Sequence, residues 1–100
     1  MLIVREVFVA KPGQAGKLAK LMKKAFGGEP GMTIMTDIVG DYNTVVAETQ
    51  VESLAQFEKE MEEYRSGEQA SKLDPEVAEQ MKNYTEMYLT GRREIYQIVE

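Results

Sequence analysis

The sequence contains no cysteine, no histidine and no tryptophan. Without cysteine there is no disulfide framework, no thiolate metal site and no thiol nucleophile. The missing histidine excludes more, because imidazole is the usual general base near neutral pH and the commonest metal ligand. Ser–His triads and His-ligated haem are therefore excluded, and no metal site is expected. Positive charge is also in short supply: the formal net charge is −5, whereas a nucleic-acid binder needs a basic footprint to neutralise phosphates. No run of about 18 apolar residues is present to span a membrane. The N-terminal MLIVREVF sets Arg5 and Glu6 inside its apolar run, which is not the layout of a signal peptide, so a cytoplasmic protein is expected. Glycine-rich phosphate loops are missing as well, since Gly13 and Gly27-Gly28 do not fit G-x-x-x-x-G-K-[ST].

What is present is globular in character. Of the 100 residues, 43% are apolar and 29% charged, which suits a folded chain rather than a disordered one. The length predicts a single domain over residues 1–100. A domain of this size buries a modest fraction of its surface, so an additional interface would help to stabilise it. Charge is unevenly spread: residues 1–26 hold six basic side chains and one acidic one, a net of +5, which leaves −10 for the remainder. This is read either as a basic first helix beside acidic later ones, all solvated on their outer faces, or as an anion-attracting face on the first helix.

The best organised stretch is Tyr42 to Phe57, YNTVVAETQVESLAQF, a strand running into a capped helix. Ahead of it, Leu2 to Ala10 is rich in β-branched residues and apolar on both alternating faces, as a covered central strand is. Lys11-Pro12-Gly13 turns the chain. From Gln14 to Phe26 the spacing is helical, with Ala15, Leu18, Leu21, Met22, Ala25 and Phe26 on one stripe. Gly27-Gly28 is expected to close that helix with a left-handed cap. A second strand is predicted over Met32 to Val39, a short hairpin connection over residues 40–43, and a third strand over Thr44 to Val51. Ser53 and Gln56 match a capping box, and Leu54, Phe57, Met61 and Tyr64 follow on one stripe. Residues 66–73 read as a polar loop. Asp74-Pro75-Glu76 starts another helix, predicted to run to about residue 90 with Val77, Met81, Tyr84 and Tyr88 as its stripe. Gly91 ends it, and Arg92 to Val99 is the last strand.

The expected fold class is α+β: a ferredoxin-like β-α-β-β-α-(α)-β chain whose four-stranded antiparallel sheet has the order 4-1-3-2. Both crossover helices then lie on one face. The other face is too apolar to sit in water, which predicts a two-fold homodimer packed sheet on sheet. RNA-recognition modules share this strand order, but their third strand carries aromatics, and VVAETQV has none.

The order of V-x-K-P-G after the first strand (Val9, Lys11, Pro12, Gly13), P-G before the second (Pro30, Gly31) and E-x-x-x-E-S-x-x-x-F through the third (Glu48, Glu52, Ser53, Phe57) resembles the dimeric α+β barrel superfamily. The branches it is most similar to are the antibiotic-biosynthesis-monooxygenase-like and NIPSNAP-like proteins. The likeness covers residues 1 to about 64 and the last strand. It implies a homodimer, and a cleft between sheet and helices where some members bind small organic molecules. Some monooxygenase members use Asn, Trp and His there. This chain has neither Trp nor His, and its two Asn residues are Asn43 in the hairpin and Asn83. Haem degradation and Trp-dependent chemistry are thus not implied, no cofactor is expected, and cofactor-independent chemistry through tyrosine or a carboxylate stays open.

Four charges fall inside predicted strands: Arg5, Asp37, Glu48 and Glu94. A buried charge is costly unless paired. Arg5 and Glu48, on neighbouring strands, are read either as a structural ion pair or as polar groups of a site in the cleft. Tyr64, Tyr84 and Tyr88 lie on helix stripes, where they either pack in the core or present hydroxyls to a ligand. The candidate ligand-binding residues are accordingly Arg5, Glu48, Tyr64, Tyr84 and Tyr88. The expected function is a homodimeric small-molecule-binding protein, with cofactor-independent monooxygenase or isomerase chemistry as its enzymatic form. The alternative is a non-catalytic dimerisation or ligand-sensing module. A cavity near these residues would favour the first.

Overall fold

The computed structural model describes the backbone of residues 1–100 and all side chains outside residues 69–70. Strand β1 (Leu2–Ala10) leads into helix α1 (Ala15–Phe26), then strands β2 (Thr33–Thr36) and β3 (Thr44–Val51). Helix α2 (Leu54–Ser66) follows, then the short α3 (Glu68–Ser71), α4 (Pro75–Met81), a 3₁₀ turn at Tyr84–Glu86 and strand β4 (Tyr88–Gln97). The sheet is antiparallel in the order β2-β3-β1-β4, the ferredoxin-like order expected from the sequence.

Register decides which residues share a face. Leu2, Val4, Glu6 and Phe8 stand opposite Val51, Thr49, Ala47 and Val45. These residues, with Ala10, face the helices. Leu18, Leu21, Met22 and Ala25 of α1 are buried against them, and Ala10, Leu18, Met22 and Val45 form the centre of the core. The stripe read from helical spacing is thus the stripe that packs. The opposite face carries Ile3, Arg5, Val7 and Val9 of β1 beside Gln50, Glu48, Val46 and Thr44 of β3. On this face Val7 is buried, while Ile3, Arg5, Val9, Thr44, Val46 and Glu48 are half-buried.

The local chemistry behind the boundaries is visible. Ser53 caps α2, its Oγ accepting the Gln56 amide at 3.2 Å. The reciprocal contact is displaced by one residue, since Gln56 Oε1 accepts the Glu52 amide, at 2.7 Å, rather than that of Ser53. Gly67 ends α2 in the left-handed region at φ 84°, as glycine permits. Asp74 caps α4 by accepting the Glu76 amide at 2.9 Å, with Pro75 in its first turn.

Four boundaries differ from the sequence reading. Strand β2 stops at Thr36 instead of Val39. At Asp37 the ladder gives way: its amide still donates to the Thr44 carbonyl at 3.3 Å, but the Thr44 amide is taken by the Asp37 Oδ1 at 3.1 Å, and Ile38 and Val39 beyond it project at 99% and 94% exposure. The connection that follows turns through Tyr42 and Asn43, both at positive φ. Gly27 closes α1 at φ −65°, not in the left-handed region; glycine is needed there because a Cβ would press on the Lys23 carbonyl oxygen. Residues 68–71 form a helical turn inside the expected loop. Finally, the helix expected over residues 74–90 ends at Met81, and Tyr88 and Leu89 belong to β4. A register shift between Val9 and Ala10 lets Tyr88 pair with Ala10, which lengthens the strand backwards past Gly91.

Candidate functional site

Helix α2 does not close onto the sheet. None of its residues is buried, and Leu54 of its apolar stripe is 62% exposed. A cleft of about 990 Å³ therefore opens between α2, α1 and the helix-facing side of the sheet. Val4, Glu6 and Phe8 of β1 and Arg93 of β4 lie on its floor. Met22 and Phe26 of α1 stand on one side, and Phe57, Met61 and Tyr64 of α2 on the other. Tyr84 and Tyr88 close one end.

Two polar pairs sit among these apolar walls. Glu6 and Arg93 are opposite each other in the β1–β4 register and are joined by a 2.5 Å ion pair. The Arg93 guanidinium also lies 5.1 Å from the centroid of the Phe57 ring, a cation–π contact that ties β4 to α2. At the other end the hydroxyls of Tyr64 and Tyr84 are hydrogen-bonded at 3.2 Å. Tyr84 packs edge-on against Phe8 at 6.4 Å, and Tyr88 lies 4.8 Å from Phe8 and 5.9 Å from Tyr84.

The electrostatics sort these groups by role. Burial, then the hydrogen bond to Tyr64, push the Tyr84 phenol well above its ordinary range; the Tyr64 and Glu6 charges add to this and Arg93 opposes it. Burial, then Tyr84, raise Tyr88 as well. Both phenols are thus protonated at neutral pH, hydrogen-bond donors rather than bases. At the mouth, desolvation raises the Glu29 carboxyl, the Glu60 and Glu63 carboxylates raise it further, and Lys72 lowers it.

A prediction follows for Glu29. Its folded pKa lies above its unfolded one, so it contributes stability below the unfolded value and loses it as pH rises through the folded value. Glu29→Gln should therefore be more stable than the parent at pH 7, and that gain should vanish below the ordinary carboxylate range. Chemical denaturation at the two pH values reads it; a variant less stable at pH 7 would contradict the sign.

The structure divides the five candidates read from the sequence. Tyr64, Tyr84 and Tyr88 are brought together at one end of the cleft. Arg5 and Glu48 are brought together with each other, Nε to Oε1 at 2.8 Å, but on the sheet face turned away from the helices. They form an ion pair there. Among the polar groups that do line the cleft, Glu6, Arg93 and Glu29 were not singled out by the sequence. The signal for the first was available: Arg5 and Glu6 are adjacent in a strand, so one must point to each face. Among the described residues no cluster of acidic side chains is arranged to hold a metal ion, and no helix is long and apolar enough to cross a membrane.

Comparison with solved structures places this geometry. An uncharacterized NIPSNAP-domain protein from Burkholderia xenovorans superposes with a TM-score of 0.74 at 12% identity, covering 99% of this chain and 95% of that one. The chain has the fold of the NIPSNAP proteins. A NIPSNAP-family protein from Agrobacterium tumefaciens superposes with a TM-score of 0.71 at 14% identity, over 100% and 95% of the two chains. A further A. tumefaciens protein gives 0.71 at 12% identity, over 99% and 94%. The NIPSNAP-like fold includes the lengthened crossover, since the superpositions span essentially the whole of both chains. No protein-family model matches the sequence, and neither does any curated protein.

Proposed function

We propose that this chain is a cytoplasmic homodimer that binds a small organic molecule in the cleft between α2 and the sheet. One observation carries the reading: an open cleft of about 990 Å³ lined by apolar side chains such as Phe8, Met22, Phe57 and Met61 and by polar ones, of which Glu6 is oriented by Arg93 and Tyr84 by Tyr64. Apolar walls with a small number of fixed polar groups are the general form of a ligand site. The alternative is a non-catalytic dimerisation or ligand-sensing module; an open cleft favours the ligand-binding form of either reading. Dimerisation is proposed through the opposite sheet face, which carries Ile3, Val7, Val9 and Val46. The lack of cysteine suits a reducing compartment.

A second, enzymatic reading has Glu29 behind it. In cofactor-independent oxygenase or isomerase chemistry a carboxylate takes a proton from the ligand, and the raised pKa of Glu29 at the cleft mouth is the shift such a base needs. Tyr84 would then act as donor to the developing oxyanion, not as base.

A fragment screen followed by amide chemical-shift mapping tests the binding reading. Aromatic and aliphatic fragments should perturb the amides of Phe8, Phe57, Tyr84, Tyr88 and Arg93 together. Fragments that bind only elsewhere, or not at all, would overturn it.

A further inference from the structure

We propose that α2 is a lid on the cleft, pivoting at its N-terminal end and latched at its C-terminal end by Tyr64 on Tyr84. This rests on the reading of the cleft as a small-molecule site and adds how a ligand reaches the tyrosines.

The attachment of α2 is uneven along its length. At its start, Glu52 and Ser53 alone join it to Val51, the buried last residue of β3. The capping bonds of Ser53 and Gln56 lie wholly within residues 52–56, so they travel with the helix and do not tie it to the sheet. In the first turn the Phe57 ring meets the Arg93 guanidinium of β4 at 5.1 Å. Two turns further on, about 10 Å along the helix axis, the Tyr64 hydroxyl is bonded to that of Tyr84 at 3.2 Å. Between these two contacts only Met61 and Glu63 are even half-buried.

Lifting the C-terminal end therefore uncovers little apolar surface. Helix α1 is the contrast, with Leu18, Leu21, Met22 and Ala25 buried. An element with few buried contacts opens at a lower free energy than the core. The Tyr64–Tyr84 bond is exposed, so water competes for both hydroxyls and the latch breaks readily. Its other half stays with the sheet, because Tyr84 is packed against Phe8 and Tyr88. The chain beyond α2 permits the movement. Gly67 ends the helix at φ 84°, where an added Cβ would meet nothing within 4 Å, and residues at the ends of elements absorb the rotation of hinged segments. The next attachment to the core is α4, which packs against α1, so residues 67–74 lie between the lid and that anchor. Release of Tyr64 opens the aromatic end of the cleft.

The chain has no cysteine, so introduced cysteines take spin labels at chosen sites. Lys20→Cys on α1 with Ser66→Cys at the end of α2 reads the lid. Lys20→Cys with Glu76→Cys on α4 is the control, and all three positions are exposed. Labelled full-length chains are diluted into unlabelled protein, so that double electron–electron resonance reads distances within one chain. The lid pair should show a second, longer distance beside its main one. Tyr64→Phe should raise the ratio of the longer to the shorter about threefold to tenfold. The control pair should keep a single distance in both proteins. A lid pair with one distance, or a ratio that Tyr64→Phe leaves unmoved, overturns the lid while the cleft remains a ligand site. So does a control pair that spreads together with the lid pair, since the whole domain is then loosening. Failure of the fragment screen removes the ligand and leaves these distances as they are, so the two readings fail separately.

Discussion

Leu18→Ala is expected to lower the unfolding free energy by about 3 kcal/mol, and with it the melting temperature by roughly 12–20 °C. Leu18 has no exposed surface and sits at the centre of the core, in α1, with Met22, Ala10 and Val45. Alanine there removes the transfer energy of the missing carbons and leaves a cavity, because Ala10 and Val45 are held in register by both flanking strands and cannot collapse inward. The effect is large for this chain in particular. The sheet is packed on its helix side chiefly by α1, since α2 contributes no buried side chain, and a domain of this size has on the order of 5–15 kcal/mol to lose. The comparison is Ile38→Ala, which removes a side chain of similar size from a fully exposed position and should stay within about 0.5 kcal/mol of the parent. Urea titrations of the two variants check both; a Leu18→Ala change below about 1 kcal/mol would mean that the core does not centre on α1.

Helical spacing located that core correctly because α1 has a strong, unbroken stripe, and its burial follows the stripe. Elsewhere the sequence was legible where local chemistry decides the outcome. Ser53 and Asp74-Pro75 each mark the boundary they were expected to mark, since a cap depends on its own few residues. It was illegible where a distant partner decides. Met32 to Val39 alternates like a strand throughout, but the Asp37 carboxylate takes the Thr44 amide and ends the pairing three residues early. Val77, Met81, Tyr84 and Tyr88 keep helical spacing, yet the Ala10 bulge recruits Tyr88 into the sheet. In each case a tertiary contact outweighs a weaker local preference.

The site shows the same division. The sequence could point to the tyrosines that line the cleft because aromatic residues on a stripe face inward whether they fill a core or line a cleft. The charges were not, because β1 is apolar on both alternating faces and its pattern could not say which face meets the helices. Only the register, Glu6 against Arg93 and Arg5 against Glu48 and Glu94, assigns them. That α2 stands away from the sheet was also hidden. Its stripe of Leu54, Phe57, Met61 and Tyr64 reads as core, and the 3.2 Å contact between the Tyr64 and Tyr84 hydroxyls holds the end of the helix against the tyrosine cluster.

The second large effect concerns the sheet face turned away from the helices. Val46→Lys is expected to convert the proposed dimer to a monomer at micromolar concentration and to lower its melting temperature. Val46 lies between Val7 of β1 and Met35 of β2 on that face, with the Arg5–Glu48 pair in the next row but one residue along each strand's same face. The pair does not forbid a covering sheet: its charges already neutralise each other at 2.8 Å, so covering it desolvates a matched pair rather than a bare charge. A lysine at position 46 has no such partner. In an isolated subunit its stem can lie along the neighbouring apolar side chains with the ammonium in water, at a cost of about 1 kcal/mol or less. Beneath a second sheet the same ammonium would be buried unpaired, at several kcal/mol, and the two-fold axis imposes that cost twice. Sedimentation analysis of parent and variant separates the cases. A dimeric parent and a monomeric Val46→Lys are expected; a parent that is already monomeric, or a variant that stays dimeric, would remove the sheet face from the interface.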